Sequence, residues 1–583
     1  MNPDGTRGIV PGWIRVPVGE GSAPYLSVPF VRKVLIVART VTTTEWLLDF
    51  LPEIFADPRV QLLFTVEDEA PSVYHQGALD LLRDVGVPVM PWAQAMATTF
   101  DLAICSTHTG SLEHLRSPLM ILPHGPGFGK PASVRPGGAV PLPLLSDSDR
   151  TAAELPATTV VISHPDQASL FAGRPPEVSL LMAGDPAFDR LEASLPFRDH
   201  YRAAVGLGPE QKLIVLSSTW GPGAQLGRHP DLAVRLLSEL PLDEYRLAMI
   251  IHPNIWYGHG PWQVRTWLRR AVDGGAALSP ARGDSWRGVA IAADLFVADH
   301  GSVAFYAASI GKPVLLCSFG HDKLVESSPL AELGRIAPEL DVGAPLRPQI
   351  DRAIQEFEPE RYQRVVERMT GAPGESLRIM REKIYRIIGL EEPPEPPRIL
   401  TVGRPEVSLA EVTAQLVFAA FPPSEERDGA VEVSLQRFPA VLTPPPESRG
   451  ALRFLIVDER ERDPRFLQSG AVVIRSRGAG IDPNGASEAS WAARALERSP
   501  GCRVAASVDG SLRRVTLYPR GRAPLVLRAT DEAGGEWSHH DTTLLAAAFY
   551  ACDVTGRASL LAAHGLTVRV GDSRLSSVVA LAG

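Results

Sequence analysis

Cysteine is scarce in this chain: four residues in 583, Cys105, Cys317, Cys502 and Cys552, far apart and mostly within apolar runs. That spacing excludes a cysteine-based metal site and reads as buried, reduced thiols, which points to a reducing, cytoplasmic setting. Long apolar runs are missing as well. No stretch reaches the 18 or more apolar residues of a membrane-spanning helix, and residues 1–30 carry Gly, Pro and charge without the apolar core of a signal peptide. Any membrane role is therefore expected to be peripheral, at the inner face. Basic excess is absent too: 58 Lys and Arg against 67 Asp and Glu give a formal net charge of -9, so nucleic acid is not an expected partner. No internal repeat occurs. What is present is the composition of a soluble globular protein, 45% hydrophobic and 21% charged, long enough for about three domains.

Beyond an N-terminal extension, 1–30, apolar strand-like runs at 34–38, 60–66, 87–90 and 102–105 alternate with helical stretches at 46–55 and 78–84. A second alternating series holds strands at 213–217 and 247–252 and helices at 232–239 and 262–273. Strands alternating with helices predict parallel sheets covered on both faces. The expected fold is α/β: two tandem doubly wound, Rossmann-like domains, 31–195 and 196–390, the second closed by helices within 348–388. Ligands of such sheets bind beyond the carboxyl ends of the strands. The run EEPPEPP within 391–398 is a Pro-rich linker, and 399–583 changes to short strands with two helices, near 489–498 and 542–552, predicting a smaller α+β domain. Ser538, His539, His540 and Asp541 in that domain read as a polar turn and helix cap, because adjacent positions rarely converge on one metal.

The segment 293–316, ADLFVADHGSVAFYAASIGKPVLL, is the most informative. A short apolar run ends at Asp299, His300, Gly301 and Ser302, and Ala304, Phe305, Ala308 and Ile310 then follow at helical spacing before Gly311, Lys312 and Pro313 stop the helix. Amides at that helix start, the Ser302 hydroxyl and the close approach Gly301 allows form a seat for a pyrophosphate. His124, in LPHGPGFGK after the run 119–122, sits at another strand end, where a histidine can take a proton from an acceptor hydroxyl. His252, in AMIIHPN, is placed to donate to a phosphate oxygen as charge builds on a leaving group. Ser217, Ser218, Thr219 and Trp220 add hydroxyls and an aromatic face to the same rim. Each position read alone serves equally well as a turn or helix cap; together they fall on one rim. Asp147, Ser148 and Asp149 read as solvated charge.

In this order the motifs resemble the CDP-glycerol glycerophosphotransferase family, the teichoic-acid polymerases and primases of GT-B architecture, over about 31–388. His124 and Gly125 are similar to the family's His-Gly-Thr-Pro-x-Lys, with Lys130 one position late; Gly184, Pro186, Asp189 and Leu191 are similar to its Gly-x-Pro-Arg-x-Asp-x-Leu. Thr219 and Trp220, then His252 and Pro253, then Asp299 and Ser302 continue the order, while Ala187 and Gly221 stand where the pattern has arginine. The resemblance implies transfer of a polyol phosphate from a CDP-activated donor to an acceptor hydroxyl. His124 and His252 would be catalytic; Ser218, Thr219, Asp299, Gly301 and Ser302 would bind the donor phosphates; Gly125, Lys130, Asp189 and Asp322 would line the cleft. No cofactor or metal is implied, the nucleotide being substrate, and the acceptor would be a polyol, a glycan or a lipid-linked molecule. The same elements also suit a UDP-sugar glycosyltransferase, an epimerase of the UDP-N-acetylglucosamine type, or a binding protein that keeps the GT-B frame without turnover.

Overall fold

The computed structural model describes residues 12–19, 21–67, 75–106, 112–122, 125, 157–422, 431–443, 451–476, 487–509, 514–530, 539–571 and 573–581. The first sheet contains β1 (Arg32–Ala38), β2 (Val60–Val66), β3 (Val89–Met90), β4 (Leu102–Cys105), β5 (Leu119–Ile121), β6 (Thr158–Ile162) and β7 (Val178–Met182). All its pairings are parallel, in the order β3-β2-β1-β4-β5-β6-β7. Its central strands are mostly apolar because helices cover both faces, and Val34 to Ala38 are buried to 1% exposure or less. The second sheet contains β8 (Lys212–Ser218), β9 (Tyr245–Ile251), β10 (Ala277–Leu278), β11 (Leu295–Ala298) and β12 (Val314–Leu316), again all parallel, in the order β10-β9-β8-β11-β12.

The carboxyl ends of the two sheets face each other, the frame expected from the sequence. Glu45, in the helix after β1, accepts from the Gly283 amide beyond β10, and Asp185, after β7, accepts from Tyr306 in the helix after β11. One hydrophobic core runs through both units at this meeting point, joining Ala187 and Phe188 to Val289, Ala290 and Tyr306. The helix Ser376–Ile388, expected as part of the closing region of the second unit, packs back on the first. Arg32 Nε donates to the Ile388 carbonyl at 2.5 Å, and Tyr385 Oη donates to Asp57 at 3.0 Å. The helix ends at Gly389, whose φ of 62° is the left-handed conformation that glycine adopts most readily.

Residues 391–398 are tied down in this structure. Arg59 donates to the Glu391 carbonyl and Arg381 to that of Glu395, while Arg398 pairs with Glu53. The chain then crosses to the second unit, where Tyr201 donates to the Val402 carbonyl and Leu409 to that of Val205.

The C-terminal unit is a closed nine-stranded barrel, more regular than the small α+β unit expected. Its strands are β13 (Ala414–Ala420), β14 (Val431–Pro439), β15 (Leu452–Asp458), β16 (Val472–Ser476), β17 (Val504–Val508), β18 (Arg514–Pro519), β19 (Leu525–Thr530), β20 (Leu566–Val570) and β21 (Ser573–Leu581). The helix His539–Val554 packs against β13, β14, β16, β17, β18 and β20. Leu544 to Phe549 are buried to 2% exposure or less, as are Ala551 and Cys552, because a helical stretch that is apolar all round needs a partner all round. Ser538 lies outside the described residues. The barrel docks at the amino ends of β8 and β9, opposite the cleft, through Arg437 to Asp243 and through the Leu242 amide to the Arg437 carbonyl. All four cysteines are buried and none is in a disulfide, and among the described residues no helix is long and apolar enough to cross a membrane.

Candidate functional site

β8 and β11 are neighbours in the second sheet, so the segments leaving their carboxyl ends lie side by side. Asp299, fully buried, holds them together. Its carboxylate accepts from the amides of Thr219 (2.9 and 3.1 Å), Gln225 (2.9 Å) and Gly301 (3.0 Å). Burial pushes this carboxyl above its ordinary range, against the pull of the Gln225 amide and of the adjacent His300. Expected to meet phosphate, Asp299 instead shapes the loop beneath the surface; a carboxylate already claimed by backbone donors has little capacity left, and its charge would repel a phosphate. Ser218 is similarly occupied. Its hydroxyl donates to the Thr219 carbonyl at 2.8 Å and accepts from the Leu226 amide at 3.0 Å. The Thr219 hydroxyl is buried without a hydrogen-bond partner. Gly301 allows close approach, but to its own loop: a Cβ there would stand 3.1 Å from Asp299 Oδ1 and 3.2 Å from Thr219 Cβ.

Ser302 differs from these. It is exposed at the first position of the helix Ser302–Ser309, and the N-cap, Gly301, offers no side chain to the first turn, whose Ala304 amide donates to the Gly301 carbonyl. Opposite it stands Gly125 of the first unit, in the left-handed region at φ 86°, where an added Cβ would lie 3.9 Å from both Ser302 Cβ and Tyr306 Oη. The structure thus brings Gly125 and Ser302 together across the cleft. His124 and Lys130, in the same glycine-rich stretch, lie outside the described residues.

His252 ends β9 and N-caps the helix Pro253–His259, its Nδ1 accepting from the Asn254 amide at 3.0 Å. That bond leaves the proton of the neutral ring on Nε2, as a donor. The His252 amide donates to the Ser218 carbonyl, which fixes the two strand ends in register. Trp220, 47% exposed, stands on the rim, and Asp322 is exposed in the turn His321–Lys323.

Asp189 belongs elsewhere. It accepts from the amides of Gly374 at 2.8 Å and Ser376 at 3.2 Å and from the Ser376 hydroxyl, so it caps the helix Ser376–Ile388 and does not face the cleft. Around it, Gly184 permits contact with the segment 370–372, where a Cβ would come within 2.5 Å of Thr370 Oγ1, and Leu191 is core. The Gly-Asp-Pro segment therefore fastens two helices to each other. Asp185, passed over in the sequence, is the residue that reaches the cleft wall: it caps the helix Pro186–Ser194 and accepts from Tyr306 Oη at 2.8 Å. Its signal was the Asp-Pro pair that opens the helix.

His164 was missed as well. It ends β6 in a His-Pro pair like that of His252 and uses the same local geometry, its Nδ1 accepting from the Asp166 amide at 3.2 Å. The duplicated dipeptide was the available signal. His164 lines a cavity of about 390 Å³ between the units, with Asp166, Ser327, Ser328 and Arg368. Arg368 bridges the walls, donating to Asp166 and Glu332, both at 2.8 Å.

No protein-family model and no curated protein sequence matches this chain. Among solved structures it is similar to the wall teichoic acid polymerase TagF, at 12% identity over 61% of this chain and 89% of that one, with a TM-score of 0.41. It is also similar to S. aureus MnaA with UDP (12% identity, 64% and 100% covered, TM-score 0.34) and to Anabaena HepE with UDP-glucose (13%, 61% and 99%, TM-score 0.34). Likeness at this level is loose and carries no function from those proteins to this one.

Proposed function

We propose that the chain is a transferase that binds a nucleotide-diphosphate-activated donor in the cleft and passes the activated group to an acceptor hydroxyl, with a CDP-linked polyol phosphate as donor. The observation that carries this reading is the start of the helix Ser302–Ser309, with an exposed serine and no side-chain cap, facing Gly125 of the opposite unit. Such a helix start favours a pyrophosphate through its amides and its dipole. The ordered motifs of the sequence supply the choice of donor.

The acceptor oxygen forms a bond to the phosphorus distal to the nucleoside, the bridging P–O bond breaks, and CMP leaves with its electron pair. His124 is proposed to take the hydroxyl proton, and His252 to donate from Nε2 to the bridging oxygen as charge develops there. Positioning and charge stabilisation suffice for such a displacement. The cavity beside His164 suits a polyol or glycan acceptor, because Asp166 and Ser328 on its walls offer polar partners to hydroxyls.

Calorimetry of the full chain with CDP, UDP, GDP and their monophosphates tests the reading. A preference for CDP or CMP, weakened about tenfold in Ser302→Ala, is the expected result, that factor being one phosphate hydrogen bond of roughly 1.4 kcal/mol. His252→Gln is expected to keep nucleotide affinity and to lower turnover by about 10²–10³. A UDP preference would replace the donor with a nucleotide sugar. Binding of none of these nucleotides would overturn the transferase reading in favour of a binding protein.

A further inference from the structure

A pyrophosphate carries several negative charges, whereas a helix start supplies about half an elementary charge. A seat at Ser302 therefore calls for a cation, and the segment that leaves β12 brings one to the same rim. Ser318, in that segment, is in the left-handed region at φ 60°, a conformation uncommon for a residue with a side chain. The chain beyond it is fixed at two points. The Phe319 ring fills the space that Gly334 leaves on the helix Pro329–Ile336, and the Gly320 amide donates to His300 Nδ1 at 3.3 Å.

These anchors place Lys323. A Cβ at Gly320 would stand 3.3 Å from Lys323 Cδ and 3.4 Å from His300 Cε1, so the lysine stem and the imidazole meet across this glycine, two positions before Ser302. The far end of the side chain lies over the segment leaving β8, where a Cβ at Gly223 would stand 2.5 Å from Lys323 Nζ. Gly223 lies between Thr219 and Gln225, whose amides both donate to Asp299, and Asp299 also accepts from the Gly301 amide beside Ser302. One buried carboxylate thus holds together the loop beneath the ammonium and the helix start. Lys323 is exposed, and among the described residues its ammonium has no hydrogen-bond or ion-pair partner, although Asp322 and Glu326 stand on the same segment. Farther along, Val325, Ser327 and Ser328 wall the cavity beside His164. In chain order Lys323 therefore stands between the nucleotide rim and the cavity assigned to the acceptor.

We propose that Lys323 binds the distal phosphoryl group of the donor, its ammonium donating to the non-bridging oxygens of the phosphorus that is attacked. The assignment rests on the transferase reading and names the cation of that same site. A compact charge on a flexible stem suits the position, because it can follow those oxygens as the phosphorus moves toward the acceptor.

Calorimetry of the full chain with CDP, CMP, UDP and UMP, in the parent and in Lys323→Met, tests the assignment. Whichever base is preferred, the parent is expected to bind the diphosphate more tightly than the monophosphate. Lys323→Met should weaken the diphosphate about tenfold or more, as for loss of a hydrogen bond to a charged group, and the monophosphate less than about twofold. The variant's affinity for the diphosphate should also fall less steeply with sodium chloride. Its Tm should match the parent's, because the side chain is exposed and its ammonium has no partner to lose. Equal diphosphate affinity in parent and variant, or an equal loss for diphosphate and monophosphate, would overturn the assignment and leave the transferase reading standing. Binding of no nucleotide by the parent would overturn both.

Discussion

Asp299 illustrates how a residue can be found in sequence while its task is not. Its place at the end of an apolar run beside Gly301 and Ser302 was legible, but the amides that occupy it come from Thr219 and Gln225, 80 and 74 positions away. Asp299→Asn would turn an amide NH₂ toward these backbone donors. A loss of about 2–4 kcal/mol is expected from donors left unsatisfied, measured by urea unfolding, with nucleotide affinity falling in parallel. Glu45 gives a pH signature. Burial, helped by Asp49, raises its carboxyl from the ordinary 4.5 to about 7, against the Gly283 amide and nearby arginines. The folded state therefore holds this proton more tightly than the unfolded chain, so the contribution to stability is full below about pH 4.5 and declines as pH climbs to about 7. Glu45→Gln should remove that decline, seen as a smaller difference in unfolding free energy between about pH 5 and about pH 8 than in the parent.

At the scale of elements, helix and strand periodicity located most of the two parallel sheets, because an apolar run buried on both faces declares itself locally. In the C-terminal unit a run of short strands was legible, and β17 and β18 pair antiparallel, Val508 opposite Val515. Closure was not legible: β13 pairs with both β14 and β15, and β14 pairs in parallel with β20, Val431 opposite Leu566. Such pairing is fixed by partners distant in the chain. The helix His539–Val554 fills the interior, so Leu545→Ala is expected to cost about 2–5 kcal/mol for the cavity it leaves. Calorimetric unfolding should register that loss while CDP affinity stays at the parent value, since the barrel docks at the strand ends opposite the cleft.

The whole molecule is held by charge and by chain connection. Arg287, 5% exposed, pairs with Asp284 and with Asp49 of the first unit, and Arg190 of the first unit pairs with the same two carboxylates. Asp284→Asn removes one of two anions from this cluster and is expected to cost about 3–5 kcal/mol, because a buried cation loses its counter-charge. In urea the first and second sheets should then unfold less coincidently, read by tryptophan fluorescence against circular dichroism. The segment 391–412 adds a covalent brace, bonded in turn to the first unit through Arg59, the second unit through Tyr201 and the barrel through Gln415, a role that its proline-rich sequence did not reveal.

The sequence by itself determined where the chain alternates strand and helix, which residues stand at strand ends, and that a helix begins at Ser302. Those features depend on periodicity and on caps a few residues long. Only the tertiary structure decided that Ser302 stays open while Asp299 and Ser218 are occupied within, and that Asp189 caps a distant helix. The physical reason is that each depends on which backbone donors, carboxylates and side chains arrive from elsewhere in the chain, and these partners meet only when the sheets and the barrel pack.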